Sequence, residues 1–345
     1  MSALALGLRK LGRLHDRLRP PLLNRVPAAL LLQRKQRRDR KFPSPDNHGW
    51  HSELVDGTPQ SGADPLVAAL RSDAPLLVTR FGYVELECLL NHVAVTSRSS
   101  LRRAYSDFMA GHSRPFWWDH RWFRSMANNA GFFPDTVPMI RRYGETILEL
   151  IPQIDILASW LKGEQLLEDR LRHASRIPLA ALEPFHFEHP WTAALAGKRV
   201  LVVHPFERSI RTQYAKRERL FADPRVLPQF DLTVVRAPQS IAGNKTGHAS
   251  WFHALDDLTE RVAAHRFDVA LLGCGAYGMP LAARIKAMGR QAIHVGGSLQ
   301  LFFGIRGKRW EDRANISRHF NEHWVAPHES ERPASLHRVE GGCYW

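Results

Sequence analysis

The segment Arg80-Phe81-Gly82-Tyr83-Val84-Glu85-Leu86-Glu87 sets an arginine, a glycine and two carboxylates within eight residues. A carboxylate in such a turn can act as a general base or as an oxygen ligand to a hard cation such as Mg²⁺ or Mn²⁺. If the chain turns helical here, Glu85 and Glu87 point to different faces, so only one faces a cleft. Four other segments carry comparable groups. His204 precedes Pro205, Phe206, Glu207, Arg208 and Ser209; its imidazole is either a catalytic or ligand-binding group that switches protonation near neutral pH or a satisfied structural histidine. Ala237-Pro238-Gln239-Ser240 opens the glycine-bearing loop IAGNKTGH. Gly273-Cys274-Gly275-Ala276-Tyr277-Gly278 matches G-x-G-x-x-G, whose backbone N–H groups can meet a phosphate at a helix start. This stretch reads as a phosphate or pyrophosphate site, an NAD(P) site or a structural tight turn. A dinucleotide site calls for an acidic residue about 20 positions on, whereas here His294, Val295, Gly296, Gly297, Ser298, Leu299 and Gln300 follow. Lys308 and Arg309, in a Gly-flanked loop, either neutralise a diphosphate leaving group or are simply solvated. No spacing among the 18 histidines marks a metal site.

These groups need a scaffold that brings distant segments to one edge. Residues 75–82 (PLLVTRFG) read as a buried strand ending in a turn, after a short helix over PLVAALRS. From Gly197 onward, strand-like runs within 198–204, 231–237, 267–273 and 290–295 alternate with helical stretches. Near-continuous apolar strands separated by helices predict an α/β fold with a Rossmann-like, mostly parallel sheet and flanking helices. Residues 83–195 read as a helical insertion, with an aromatic cluster at Phe116, Trp117, Trp118, Trp122 and Phe123 that forms core or, as the minority reading, a sugar-stacking platform. Ligands of such sheets bind beyond the carboxyl ends of the strands, where the candidate residues fall.

The 345 residues are 44% hydrophobic and 24% charged, a globular balance. Residues 1–42 hold twelve Lys or Arg against Asp16 and Asp39, so +10 of the net +14 sits in an N-terminal extension. Nucleic-acid readers spread basic residues over a folded face with aromatics between them, so a nucleic-acid partner is not expected. The arm reads as a solvated basic tail or as an attachment to an anionic membrane surface, with RNA contact a lesser reading. No run reaches the roughly 18 apolar residues of a membrane span, and positive charge follows rather than precedes the first apolar stretch, unlike a secretory signal. Cys88, Cys274 and Cys343 suggest neither disulfides nor a zinc site. A cytoplasmic protein, peripheral at the inner membrane face through its arm, is the expectation. The arm and linker take residues 1–48, the α/β domain 49–330 (helical part about 83–195, regular βα part about 197–310), and a C-terminal tail 331–345.

The TRFGYVELE turn, the VLVVHPFERSIRTQY segment, the stretch from FDVALLGCGAYGMP to FFGIRGKRW and the terminal GGCYW resemble the GT-D class of glycosyltransferases, over roughly Pro65 to Trp345. That class carries an R-F-G-D-G-E pattern. Arg80, Phe81, Gly82 and Glu85 match it, whereas Tyr83 stands at the Asp position and Val84 at the second glycine. The resemblance implies nucleotide-sugar-dependent transfer in bacterial cell-surface polysaccharide or glycoconjugate assembly, with a glycan or lipid-linked acceptor. It implies a Mg²⁺ or Mn²⁺ site at Glu85, weakened by Tyr83. Glu85 and His204 are the candidate catalytic groups. Arg80, Phe81, Gly82, Glu207, Ser209, Gln239, Gly273, Gly275, Tyr277, Gly278, His294, Gly296, Gly297, Gln300, Lys308 and Arg309 are candidates for holding the donor. A non-catalytic sugar-nucleotide-binding protein and an NAD(P)-linked Rossmann enzyme acting on a sugar are the alternatives.

Overall fold

The computed structural model describes residues 28–43, 59–339 and 341–345. Residues 1–27 and 44–58, which include much of the basic arm and its linker, lie outside the described residues. The chain divides into a smaller unit (1–46 and 94–117) and a larger one (47–93 and 118–345).

In the larger unit, seven strands form one sheet: β1 Leu76–Thr79, β2 Ile156–Ser159, β3 Ser175–Pro178, β4 Arg199–His204, β5 Asp231–Arg236, β6 Val269–Leu272 and β7 Gln291–His294. Their order is β3-β2-β1-β7-β6-β4-β5, and every neighbouring pair is parallel. Alternate side chains enter two cores. Leu77, Leu201, Val203, Ala270 and Leu272 face one, and Leu76, Val78, Val200, Val202, Val269 and Leu271 face the other. Burial on both faces is why these strands read as unbroken apolar runs. Helices Tyr83–Thr96, His120–Ala130, Val137–Leu150, Trp251–Ala263 and Gly278–Ala287 contribute to the first core; Pro59–Arg71, Glu207–Tyr214 and Leu299–Phe302 contribute to the second.

Helix Trp251–Ala263 shows the local logic. Ser250 caps it by accepting from the His253 N–H, and Leu255, Leu258 and Val262 recur at helical spacing on its buried side. Each such side chain contributes about 1.5–3 kcal/mol by leaving water.

The α/β parallel sheet is as expected, but the region 83–195 is not wholly helical. It supplies β2 and β3, which complete one half of the sheet. β2 is a short buried run, Ile-Leu-Ala-Ser, that periodicity cannot separate from buried helix, and β3, Ser-Arg-Ile-Pro, is an edge strand with mixed exposure. The helix expected at PLVAALRS begins earlier, at Pro59.

The sheet order creates the crevice. β6 and β4 are neighbours, and the chain leaves β6 for β7 on one side but β4 for β5 on the other. Connections that diverge from adjacent strands leave a gap at the carboxyl ends.

The smaller unit pairs helix Ala28–Lys41 with helix Leu101–Ala110 around Leu31, Ala104, Phe108 and Phe116. Ser100 caps the second helix, and Gly111 ends it with φ 78°. Among the described residues, no helix is long and apolar enough to cross a membrane.

Candidate functional site

β1 ends at Thr79, and helix Tyr83–Thr96 starts after three intervening residues, the Gly82 carbonyl accepting from the Leu86 N–H at 2.9 Å. The intervening turn separates its residues by chemistry: Phe81 enters the core, while Arg80 and Glu85 line a pocket of about 670 Å³. Glu85 lies in the first helical turn, where the macrodipole favours negative charge. Its carboxylate folds back over Gly82, so closely that a Cβ there would come within 2.1 Å of Oε2. Burial raises the Glu85 pKa above the ordinary carboxylate value, against the opposing pull of its own backbone N–H and the Arg80 charge. A carboxyl with a raised pKa beside a cation suits proton transfer.

Arg80 is held by its Nε, which donates to the Phe81 carbonyl at 3.1 Å, and by stacking on Trp160 at 4.7 Å. Trp160 donates its own Nε1–H to the same carbonyl at 2.8 Å. Beneath it, the buried Glu164 carboxylate accepts from Ser159 Oγ, from the Trp160 N–H at 3.3 Å and from the Leu161 N–H at 3.2 Å, fixing the loop that presents the indole. The outer half of the guanidinium remains available. Neither Nη1 nor Nη2 has a hydrogen-bond acceptor among the described residues, and Nη1 reaches the face of Gly296, where a Cβ would stand 2.7 Å away. Gly296 has φ +81°, which glycine adopts at no steric cost. Burial lowers the Arg80 pKa, partly offset by Glu85 and Tyr344. A guanidinium starts so high that it stays charged.

The two strand-end histidines are neutral. His204 Nδ1 accepts from the Phe206 N–H at 3.0 Å, which places the ring proton on Nε2 and leaves a donor there, not a base. His294 Nδ1 lies 3.1 Å from Thr79 Oγ1. Desolvation drives both pKa values down to about 3. The glycine motif is shaped by one of these rings: a Cβ at Gly278 would come within 2.1 Å of His294 Nε2. Gly273, Cys274, Gly275 and Tyr277 line the pocket, whereas Gly278 does not. Tyr277 stacks on Trp251 with centroids 5.2 Å apart and points its hydroxyl to Ser240 Oγ at 3.2 Å.

Gly82, Gln239, Gly296, Gly297, Gln300 and Arg309 also line the pocket. Gln300 serves structure as well, donating to the Ile305 and Tyr344 carbonyls at 3.2 and 3.1 Å. Glu207, Ser209 and Lys308 do not line it. Glu207 pairs with Arg211 at 3.1 Å, and Lys308 is exposed. Ser209 Oγ donates to Glu331 at 2.5 Å and accepts from the His328 N–H at 2.9 Å. The buried Glu331 carboxylate also takes the Arg208 N–H at 2.6 Å, so a protein carboxylate already fills the helix N-terminus after β4. On the β1/β7 side, by contrast, the Nη atoms of Arg80 keep no acceptor among the described residues.

Several lining residues escaped the strand-end reading: Trp122, Trp160, Arg313, Tyr344 and Trp345. Trp122 had a signal in the aromatic cluster, yet its neighbour Phe123 is core. Tyr344 and Trp345 belong to the C-terminal segment, whose role here is to form pocket wall. Arg309 Nη1 donates to Tyr344 OH at 3.1 Å and stacks on that ring at 4.7 Å. The pocket thus combines arginines, the carboxylates of Glu85 and Glu183, the neutral imidazoles of His204 and His294 and many aromatic rings, a lining suited to an anionic ligand with flat or ring-shaped parts. Among the described residues, no group of three or more His, Cys, Asp or Glu is arranged to hold a metal ion. No protein-family model, curated protein or solved structure matches the chain.

Proposed function

We propose that the pocket binds a nucleotide-sugar donor and that the chain is a glycosyltransferase of the GT-D kind, passing the sugar to an acceptor hydroxyl. One observation carries this reading: a stacked, oriented Arg80 presents two unpaired Nη groups beside the raised carboxyl of Glu85 in a single large pocket. Arginine binds phosphate through two parallel hydrogen bonds, so the free fork suits a diphosphate oxygen pair. The tryptophan and tyrosine rings provide faces for the sugar and base.

Glu85 takes the proton of the acceptor hydroxyl as its oxygen bonds to the anomeric carbon. The bond from that carbon to the donor phosphate breaks, and its electron pair leaves with the diphosphate, whose charge Arg80 and Arg309 offset. His204, neutral with its proton on Nε2, serves as a hydrogen-bond donor to the ligand. A Mg²⁺ or Mn²⁺ ion at Glu85 does not fit the donor set. Tyr83 stands in place of the Asp, Glu85 faces the Arg80 cation, and no acidic cluster converges among the described residues.

A thermal-shift screen with UDP-, GDP-, CMP- and dTDP-sugars and NAD(P) tests the reading, because a ligand that binds only the native state raises Tm. Arg80→Gln should abolish the shift given by the active donor. Glu85→Gln should keep the shift and lower transfer by about 10². A response to NAD(P) alone would instead support the oxidoreductase, and donor binding without turnover in the wild type would support a non-catalytic binder.

A further inference from the structure

The smaller unit carries a surface that the pocket does not explain. Among the described residues, the exposed large apolar side chains are Leu30, Phe42, Leu101 and Tyr105, and all four belong to this unit. Helix Ala28–Lys41 is divided by face. Leu31 packs with Phe108, while Lys35 and Arg38 donate to the Met109 carbonyl at 3.5 and 2.6 Å and pair with Asp39. The exposed residues Leu30, Arg34, Arg37 and Lys41 recur at spacings of four, three and four, which stacks them along the other side. Arg34, Arg37, Arg40 and Lys41, with Arg98 and Arg102 near the second helix, are exposed and have no ion-pair or hydrogen-bond partner among the described residues.

Unneutralised cations interspersed with exposed leucine and aromatic side chains form the pattern of an interfacial membrane contact. The cations are drawn to acidic headgroups, and the apolar side chains enter the boundary beneath them. A nucleic acid would answer the charge but offers nothing to Leu30 or Leu101. We infer that this helix pair is a docking surface for an anionic phospholipid bilayer. The inference is independent of the pocket and holds whatever ligand the pocket takes. It places the protein at the lipid surface on which an apolar, lipid-linked substrate would be presented.

The test uses the full chain and sedimentation with vesicles of phosphatidylcholine alone or with about one third phosphatidylserine. Binding should require phosphatidylserine and weaken as salt rises, since exposed charges are screened over about 8 Å at physiological ionic strength. Arg34→Gln/Arg37→Gln should weaken it by at least about tenfold with Tm unchanged. Phe42→Ser, which leaves the charge intact, should also weaken it, and that loss should persist at high salt. Wild-type binding equally strong to phosphatidylcholine alone, undiminished binding by the arginine double variant, or displacement from vesicles by single-stranded RNA would each overturn the inference.

Discussion

Acidification should destabilise this fold through His204, and the size of the effect can be worked out. Its imidazole is 2% exposed, and desolvation holds its pKa at about 3, against 6.5 for the ordinary group. The unfolded chain therefore takes up a proton below 6.5 that the native state refuses. The stability due to this neutral imidazole is fully present above pH 6.5 and is lost progressively as pH falls toward 3. At pH 5 the loss is RT ln(1 + 10^1.5), about 2 kcal/mol. His294, likewise at about 3 and buried, adds a similar amount. Together they remove about 4 kcal/mol from the 5–15 kcal/mol typical of a domain. His204→Asn isolates one of the two. An Asn oxygen can still accept from the N–H two residues on, in the manner of an Asx turn, but does not titrate. Urea unfolding followed by tryptophan fluorescence from pH 7.5 to 4 should show the variant less steep by up to about 1.4 kcal/mol per pH unit. Parallel curves for the two proteins would refute the reasoning, since they would mean that native His204 takes up its proton as readily as the unfolded chain does.

Gly82→Ala tests the placement of the carboxylate. The backbone accepts alanine there, but the Cβ overlaps the Glu85 carboxylate at 2.1–2.4 Å, so the proposed sugar transfer should fall by about tenfold or more with little change in Tm. Glu331→Ala leaves the Arg208 N–H and Ser209 without their buried acceptor and should cost about 1–3 kcal/mol, read by urea unfolding. Without its carboxylate anchor, residue 331 holds its backbone carbonyl less firmly for the Gln239 and Trp345 donors, so the same variant should make the C-terminal segment more sensitive to protease.

Much of the architecture was legible in the order of residues. The runs VLVV and VALL are apolar on both faces, and strands covered on both sides are composed that way. Their alternation with amphipathic helices pointed to parallel pairing, and parallel pairing sends the residues after each strand to one edge. Arg80, Glu85, His204, Gly273 and Gly296 therefore line one pocket, as that reasoning requires. The concentration of cations in the first 42 residues was equally visible, because charge is counted without knowing the fold.

The remaining features depended on contacts between residues far apart in the chain. Local periodicity could not admit β2 and β3 to the sheet, since short strands gain their stability from neighbours, and β3 pairs only with β2 at the edge. The G-x-G-x-x-G motif looks like a phosphate cradle from sequence, yet Gly278 is required by the imidazole of His294, packed against it from the next strand. Ser209 resembled a ligand group until Glu331, 122 residues later, claimed it. Trp160 acquires its role only because it shares the Phe81 carbonyl with Arg80 across the sheet edge. Sequence determined which chemical groups this protein has and which strand ends carry them. Tertiary structure decided which of those groups were satisfied by other parts of the chain and which, like the Nη atoms of Arg80, have no acceptor among the described residues, because hydrogen-bond satisfaction belongs to neighbours in space.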